Sequence, residues 1–176
     1  MLVVNLFGGP GCGKSTTAAW LFSELKKRRV SCEYITEFAK DLTWEGNKTA
    51  LSCQEYVFGN QSYRMARVKD KVDVLITDSP LPLSIVYNKD LKEPEFSTLV
   101  WQAFNKYDNV NFLLSRGDTY ETTGRNETKE EAEKIDEFIL NTLVSGDIGS
   151  VNCVDITGEN TQEIILSVVL DELKNM

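Results

Sequence analysis

A glycine-rich segment near the start of the chain joins an apolar strand to a helix, and it constrains the fold more than any other feature. Residues 8–15 read Gly-Gly-Pro-Gly-Cys-Gly-Lys-Ser and match the pattern G-x-x-x-x-G-K-[ST]. The preceding run Leu2–Phe7 is apolar, and residues 14–29 carry apolar side chains at helical spacing. The pattern requires this strand–loop–helix context, so the sequence predicts a phosphate-binding loop.

The residue types in this loop each have a physical role. Glycines let successive backbone N–H groups turn inward toward phosphates, and the helix start adds the positive end of its dipole. Lys14 is expected to reach the β- and γ-phosphate oxygens, and Ser15 to bind magnesium. The predicted cofactors are therefore ATP and Mg²⁺. The predicted nucleotide-binding residues are Gly8, Gly9, Pro10, Gly11, Cys12, Gly13, Lys14, Ser15 and Thr16.

Short apolar runs recur along the chain and alternate with longer helical patterns. After Leu2–Phe7 such runs lie at 32–36, 72–77, 110–114 and 151–156. Helices are predicted at 14–29, 53–69, 94–107, 129–143 and 161–173, the fourth with a capping box of Thr128 and Glu131. This alternation favours a parallel sheet covered on both faces. Together with the phosphate-binding loop it resembles the P-loop NTPases, and the resemblance implies one α/β domain over residues 1–176, a three-layer P-loop NTPase fold with about five parallel strands in the order 2-3-1-4-5.

The composition limits the chemistry and the partners. The chain has 176 residues, no histidine and a formal net charge of −8. Without histidine, proton transfer falls to carboxylates, lysine, tyrosine or water, and a Ser-His-Asp hydrolase is excluded. The acidic balance disfavours binding to nucleic acid, although a local basic groove stays open. A homodimer is compatible with the sequence.

The cysteines and the apolar runs bear on the compartment. Cys12, Cys32, Cys53 and Cys153 stand singly, so we expect reduced and mostly buried thiols. No apolar run approaches the ~20 residues that span a bilayer. The run Leu2–Phe7 also lacks the length and the basic flank of a signal peptide. We therefore expect a cytoplasmic protein that does not bind membranes.

The third apolar run ends in an acid. Asp78 follows the run 72–77 and precedes Ser79-Pro80. A carboxylate at the end of such a strand holds magnesium directly or through water. We predict Ser15 and Asp78 as metal ligands, with a helix cap as the alternative role for Asp78.

Two other classes of nucleotide-binding protein fit poorly. The run Asn88-Lys89-Asp90-Leu91 has leucine where the guanine-reading motif Asn-Lys-x-Asp has its second acid, so a GTPase is rejected. A motor ATPase usually carries a further arginine-bearing module, whereas this chain ends after a closing helix. A small-molecule kinase suits the length better.

Five segments together resemble the nicotinamide riboside kinase-like P-loop family, which includes many phage-encoded proteins. They are residues 8–15, Glu37-Phe38-Ala39-Lys40, Gly59-Asn60-Gln61, Asp78-Ser79-Pro80 and Gly124-Arg125. The resemblance implies a kinase or ATPase of nucleotide metabolism, in the host cytoplasm if a phage encodes it.

The same layout is similar to that of deoxynucleoside kinases. In that family a glutamate after the second strand is the general base, a tryptophan lines the substrate site and a glutamine reads the base. Glu37, Trp44 and Gln61 occupy comparable places here. The chain departs from the pattern at Asp78-Ser79-Pro80, where those kinases have Glu-Arg-Ser, and this leaves the substrate open.

Other residues complete the candidate site. Glu37 would face the crevice at the carboxyl ends of the strands, and Trp44, in a polar loop with Gly46, could stack on a base. The polar segment 116–127 is predicted as a lid whose Arg116 and Arg125 stabilise the transferred phosphoryl group. The predicted catalytic residues are Lys14, Glu37, Asp78, Arg116 and Arg125, and the predicted substrate-binding residues are Glu37, Phe38, Trp44, Gln61 and Arg64.

Three functions remain in competition at this point. The first is an ATP-dependent kinase that phosphorylates a nucleoside, a nucleotide or a related small molecule. The second is a kinase that acts on a polynucleotide end or on a modified base in DNA. The third is a regulatory ATPase that binds a protein partner. The residues do not fix the acceptor or the preference for ATP over GTP.

Overall fold

Five parallel strands form the centre of the molecule. The computed structural model describes residues 1–88, 94–116, 128–144, 153–156, 158 and 160–176. Within them the sheet order is β2-β3-β1-β4-β5, which confirms the predicted order. The strands are β1 (Leu2–Phe7), β2 (Cys32–Ile35), β3 (Val74–Thr77), β4 (Asp108–Leu114) and β5 (Val154–Ile156).

Strand β1 lies in the middle of the sheet and is buried along its whole length. Its residues alternate between the two faces, so Leu6 packs into one apolar cluster and Phe7 into another. Strand β3 pairs with both β1 and β2, and Thr77 is in register with Asn5 and with Ile35. The carboxyl ends of β1, β2 and β3 therefore lie side by side at one edge of the sheet.

The described residues form eight α-helices. They are α1 (Lys14–Lys27), α2 (Phe38–Trp44), α3 (Lys48–Ser52), α4 (Gln54–Ala66), α5 (Leu83–Tyr87), α6 (Pro94–Phe104), α7 (Lys129–Ile139) and α8 (Thr161–Asn175). Helices α2, α3 and α5 were not predicted, because segments of five to seven residues are too short to show a helical period.

Helices cover both faces of the sheet. Helices α1 and α8 pack on one face through Ala18, Leu21, Ile165 and Val169, among others. Helices α4, α5, α6 and α7 pack on the opposite face. This three-layer arrangement confirms the predicted architecture.

Four predicted helices end earlier than expected, and α1 and α4 stop at Lys27 and Ala66 instead of residues 29 and 69. The prediction 94–107 overran because β4 already begins at Asp108 and α6 stops at Phe104. In the prediction 129–143, the α-helix ends at Ile139 and continues as a π-helical turn, Leu140–Val144. The start of α7 agrees with its sequence signal, since Thr128 and Glu131 form the reciprocal capping box.

The four cysteines are free thiols. Cys12 and Cys32 are buried, whereas Cys153 is half-buried and Cys53 is exposed. The expectation of mostly buried thiols was therefore wrong for Cys53, which lies in the short connection before α4. In the described part of the chain, we find no helix with the length and apolarity needed to cross a membrane.

Leu21 tests how much the packing of α1 contributes to stability. Its side chain is fully buried, at 0% exposure, between α1 and the sheet. We expect Leu21→Ala to lower the free energy of unfolding by roughly 2–5 kcal/mol, because it removes buried methyl groups and leaves a cavity. The matched control is Leu99→Ala on α6, where the leucine is 51% exposed. Chemical denaturation that gave equal losses for the two variants would contradict this packing.

Candidate nucleotide site

The glycine-rich segment leaves β1 after Phe7 and enters α1 at Lys14. Gly13 precedes the helix with φ 78° and ψ 11°, in the left-handed region. Side chains are strained in that region, so glycine suits this position. The Thr17 N–H donates to the Gly13 carbonyl at 2.9 Å and begins the helical ladder. The loop thus turns directly into α1, so the first N–H groups of this helix lie next to the loop.

The first turn of α1 lacks the groups that usually neutralise a helix start. Its N-cap position makes no side-chain hydrogen bond, and the turn contains no acidic residue. The first N–H groups of a helix have no intrahelical partner, and the aligned peptide dipoles make this end positive. Ser15 and Thr16 are exposed in this turn. The end of α1 is therefore suited to bind an anion such as a phosphate.

Lys14 is held against the loop by its own backbone. Its Nζ donates to the Gly8 carbonyl oxygen at 2.7 Å and to the Gly9 carbonyl oxygen at 2.8 Å. An ammonium group has three N–H donors, so two of them fix its position against the loop. The chain thus orients its cation before any anion binds.

Asp78 lies beside this loop at the end of β3 and is 5% exposed. The Tyr34 hydroxyl, from β2, donates to its Oδ2 at 2.7 Å. The other carboxylate oxygen, Oδ1, is buried and has no hydrogen-bond partner. A buried acceptor without a partner is costly, and it suits a ligand that brings its own positive charge.

The electrostatics around Asp78 follow from its burial. Burial raises the pKa of Asp78, while the Tyr34 hydroxyl and the nearby cations of Lys14 and Lys40 lower it. Burial also raises the pKa of Tyr34, and the charges of Asp78 and Glu37 raise it further. Tyr34 is therefore a neutral donor at physiological pH. Glu37, Lys40 and Lys14 all lie close enough to act on this one pair.

Glu37 stands two residues beyond β2, at the position before α2. Its side chain is half-buried and makes no capping hydrogen bond to the helix. Gln61 of α4 supplies the cap instead, because its Oε1 accepts from the Phe38 N–H at 2.9 Å. Its Nε2 donates to the Thr77 hydroxyl at 3.4 Å. Gln61 therefore ties α2 and α4 to the end of β3, and its side chain is buried in this role.

Arg64 also links α4 to the segment after β2. Its guanidinium pairs with the Asp41 carboxylate and lies over the Phe38 ring, 4.9 Å from the ring centroid. The predicted substrate residues Phe38, Gln61 and Arg64 thus contact one another in pairs beside Glu37. Trp44 was placed in a loop by the sequence, and this was wrong. It is the last residue of α2, because Gly46, with φ 67°, stops the helix only afterwards. Its side chain is 64% exposed.

Arg116 follows β4 and contacts the backbone of the loop. Its Nε donates to Asp136 Oδ2 at 2.8 Å, and its NH1 donates to the Pro10 carbonyl at 2.6 Å. The second oxygen of Asp136 accepts from the Gly9 N–H at 2.7 Å.

Burial and the Asp136 charge raise the pKa of the Cys12 thiol, which disfavours a reactive thiolate. Arg125 and residues 117–127 of the predicted lid lie outside the described residues.

Two site residues escaped the sequence analysis. Tyr34 interrupts an apolar strand near its carboxyl end, a signal that could have marked it. Asp136 is one of many acids on α7 and carries no such signal. In the described ranges we find no group of three or more His, Cys, Asp or Glu side chains suited to hold a metal.

Solved structures share this fold at low sequence identity. A structure of Kti12 from Chaetomium thermophilum in complex with ADP-AlF3 aligns with a TM-score of 0.61 and 13% identity, over 97% of this chain and 98% of that chain. The APS kinase CysC of Mycobacterium tuberculosis, as a Cys556Ala mutant, aligns with a TM-score of 0.50 and 14% identity, over 98% and 96%. These likenesses establish a P-loop NTPase fold.

A family model decides the membership more directly. The model, described as an AAA domain, matches residues 3–160 of the 176 in the chain. The match covers the glycine-rich loop, Glu37, Asp78, Arg116 and Asp136. A comparison with curated protein sequences found no significant match. Since the family model spans most of the chain, the protein belongs to the AAA domain family of P-loop proteins.

Proposed function

We propose that this protein is an ATP-dependent kinase that transfers the γ-phosphoryl group to a hydroxyl of a nucleoside, a nucleotide or a related small molecule. The observation that carries the proposal is the meeting of three strand ends. The glycine-rich loop follows β1, the carboxylate of Glu37 follows β2, and that of Asp78 follows β3. Hydrolysis and phosphoryl transfer both need a residue that orients the attacking nucleophile, and in a kinase that nucleophile is an acceptor hydroxyl, which Glu37 would orient.

The residues of the loop fit a nucleoside triphosphate with magnesium. The atoms that could bind the metal are the hydroxyl oxygen of Ser15 and Oδ1 of Asp78, which has no hydrogen-bond partner. Both are hard oxygen ligands of the kind that magnesium prefers. Magnesium is usually bound by one or two protein oxygens together with phosphate oxygens, and it would neutralise charge on the phosphates. Lys14 would bind the same phosphates with the part of its ammonium that faces the crevice.

Glu37 is our candidate for the residue that binds the acceptor hydroxyl. The helix-capping role that a glutamate could have at this position is taken by Gln61, so capping does not account for Glu37. It lies close enough to Tyr34 to raise the pKa of that hydroxyl, which places it near Asp78. Its carboxylate would accept the hydroxyl proton as the phosphoryl group is transferred.

The acceptor would lie between the loop and the segments of α2 and α4. Phe38 and Trp44 of α2 would offer aromatic surface for the acceptor, since nucleobases stack on aromatic rings. Gln61 and Arg64 would shape this site through the contacts that hold α2 in place. Arg116 and Arg125 would stabilise charge on the transferred phosphoryl group. The resemblance to nicotinamide riboside kinase-like and deoxynucleoside kinases supports a nucleoside as the acceptor.

Transfer of labelled γ-phosphate from Mg-ATP tests the proposal. The acceptor panel contains ribo- and deoxynucleosides, their monophosphates, nicotinamide riboside and short DNA. We expect a labelled small molecule with the wild-type protein and none with Lys14→Ala, because that variant loses its phosphate contact. A labelled DNA would instead identify the polynucleotide kinase, and label only in free phosphate would contradict both kinases.

Glu37→Gln separates acceptor activation from nucleotide binding. We expect ADP to bind the variant within about twofold of wild type, while the transfer rate falls by roughly 10²–10⁴-fold because the general base is lost. Glu45→Gln is the matched control, since it makes the same chemical change at an exposed acid after α2. Near-normal transfer by Glu37→Gln would refute the role of this residue.

Tyr34→Phe tests the link between β2 and the magnesium site. The Tyr34 hydroxyl fixes Oδ2 of Asp78, so its loss frees the carboxylate to rotate. We expect ADP to bind without magnesium as in wild type, and the gain in affinity on adding magnesium to fall by about tenfold. Calorimetry with and without Mg²⁺ measures this, with Tyr63→Phe, at a side chain 69% exposed, as control. An unchanged magnesium gain would contradict the link.

One observation favours a regulatory ATPase as a second candidate. Tyr56 and Tyr63 lie seven residues apart on the same side of α4, and they are 48% and 69% exposed. Exposed tyrosines are enriched at protein interfaces. A protein complex that forms only with ATP and is lost in a Tyr56→Ser/Tyr63→Ser variant would favour this function, if the acceptor panel also gave only free phosphate.

A further inference from the structure

Helix α7 contacts the glycine-rich loop through one carboxylate. Asp136 lies near the end of the helix, and its side chain is 29% exposed. Its Oδ1 accepts from the Gly9 N–H at 2.7 Å, and its Oδ2 accepts from Arg116 Nε at 2.8 Å and lies 2.7 Å from NH2. Asp136 therefore joins the backbone of the loop to the guanidinium of Arg116.

Arg116 is held from two sides. Its Nε donates a charge-assisted hydrogen bond to Asp136 Oδ2, and its NH2 lies 2.7 Å from the same oxygen as part of the ion pair. Its NH1 donates to the Pro10 carbonyl at 2.6 Å, so the same group also lies against the loop. The side chain is 10% exposed, and burial strengthens such contacts. The structure thus gives Arg116 one defined orientation.

Gly9 is shaped to this contact. A Cβ built on it would lie 2.3 Å from Asp136 Oδ1 and 3.1 Å from the Ala132 carbonyl oxygen. Both of those atoms belong to α7, and Asp136 Oδ1 already accepts from the Gly9 N–H, so a side chain at this position would force the loop or α7 to shift. The loop pattern accepts any residue at this position. The approach of α7 therefore explains why glycine stands here.

We propose that Asp136 is a positioning residue that orients Arg116 toward the transferred phosphoryl group. The inference rests on the proposed function, in which Arg116 stabilises charge on that group. A cationic group stabilises a transition state most when it is already oriented before the charge develops. Asp136 supplies this orientation from α7, and it holds the Gly9–Pro10 side of the loop in the same contact.

The test compares binding of ADP with binding of ADP plus aluminium fluoride, which mimics the transferred phosphoryl group. This measurement needs no acceptor, so it stands apart from the search for the kinase substrate. We expect Asp136→Asn to bind ADP within about twofold of wild type. The increase in affinity on adding aluminium fluoride should be smaller than in wild type by about tenfold or more. Glu137→Gln, at the exposed neighbouring acid on α7, should behave as wild type.

A double-mutant cycle separates positioning from simple bracing of the loop. Asp136→Asn in an Arg116→Ala background should cause no further loss, because the group that Asp136 orients is gone. Arg116→Lys keeps the charge but removes the Nε hydrogen bond to Asp136, so it should lose as much of the affinity gained from aluminium fluoride as Asp136→Asn does. Circular dichroism confirms that each variant is folded. If Asp136→Asn fails to fold, the Arg116→Lys result alone decides.

Three outcomes would overturn the inference. Additive losses in the double variant would show that Asp136 acts independently of Arg116. Loss of ADP affinity itself would show that Asp136 only braces the loop. A wild-type protein that binds ADP and gains nothing from aluminium fluoride would show that Arg116 does not face the transferred group. If the acceptor panel alone gave no labelled product, the kinase proposal would be rejected, but the aluminium fluoride result on Asp136 and Arg116 would still hold.

Discussion

The unneutralised start of helix α1 is the feature on which the rest of the site depends. The loop before it puts Gly13 in a left-handed conformation, and the first turn has neither a capping side chain nor an acid. The peptide groups at this end therefore carry uncompensated positive partial charge. A folded protein retains such an end at low cost only when it is open to solvent or meets an anion, and here it opens into the crevice beside Asp78.

The sheet brings the other groups to this helix start. Because β3 lies between β1 and β2, and because Thr77 is in register with residues of both neighbours, three carboxyl ends meet at one edge. Parallel sheets place their ligands at this edge, where loops from neighbouring strands converge. The order of the strands thus explains why Lys14, Glu37 and Asp78 share one crevice.

Polar contacts between distant segments then fix the individual side chains. The Tyr34 hydroxyl donates to one oxygen of Asp78, whereas the other oxygen has no hydrogen-bond partner. Gln61 caps α2, so that Glu37 is not needed as a cap. Asp136 holds Gly9 and Arg116 together. Each contact connects a different helix or strand to the site.

The sequence by itself determined the parts that depend on neighbouring residues. The phosphate loop, the alternation of strands and helices, the capping box of α7 and Asp78 at the end of β3 are all encoded in short contiguous segments. The order of the strands was expected from the resemblance to P-loop proteins, and the structure has the same order. The short helices α2, α3 and α5 were missed, since they show no period, and Trp44 was misplaced for the same reason.

Only the tertiary structure decided how the side chains around the loop are used. Tyr34 and Asp78 are 44 residues apart in the chain, Phe38 and Gln61 are 23 apart, and Gly9 and Asp136 are 127 apart. No local pattern links such residues, because each pair meets only after the strands have paired and the helices have packed. The chain thus specifies the phosphate loop locally, whereas folding determines which acid, which hydroxyl and which guanidinium stand beside it.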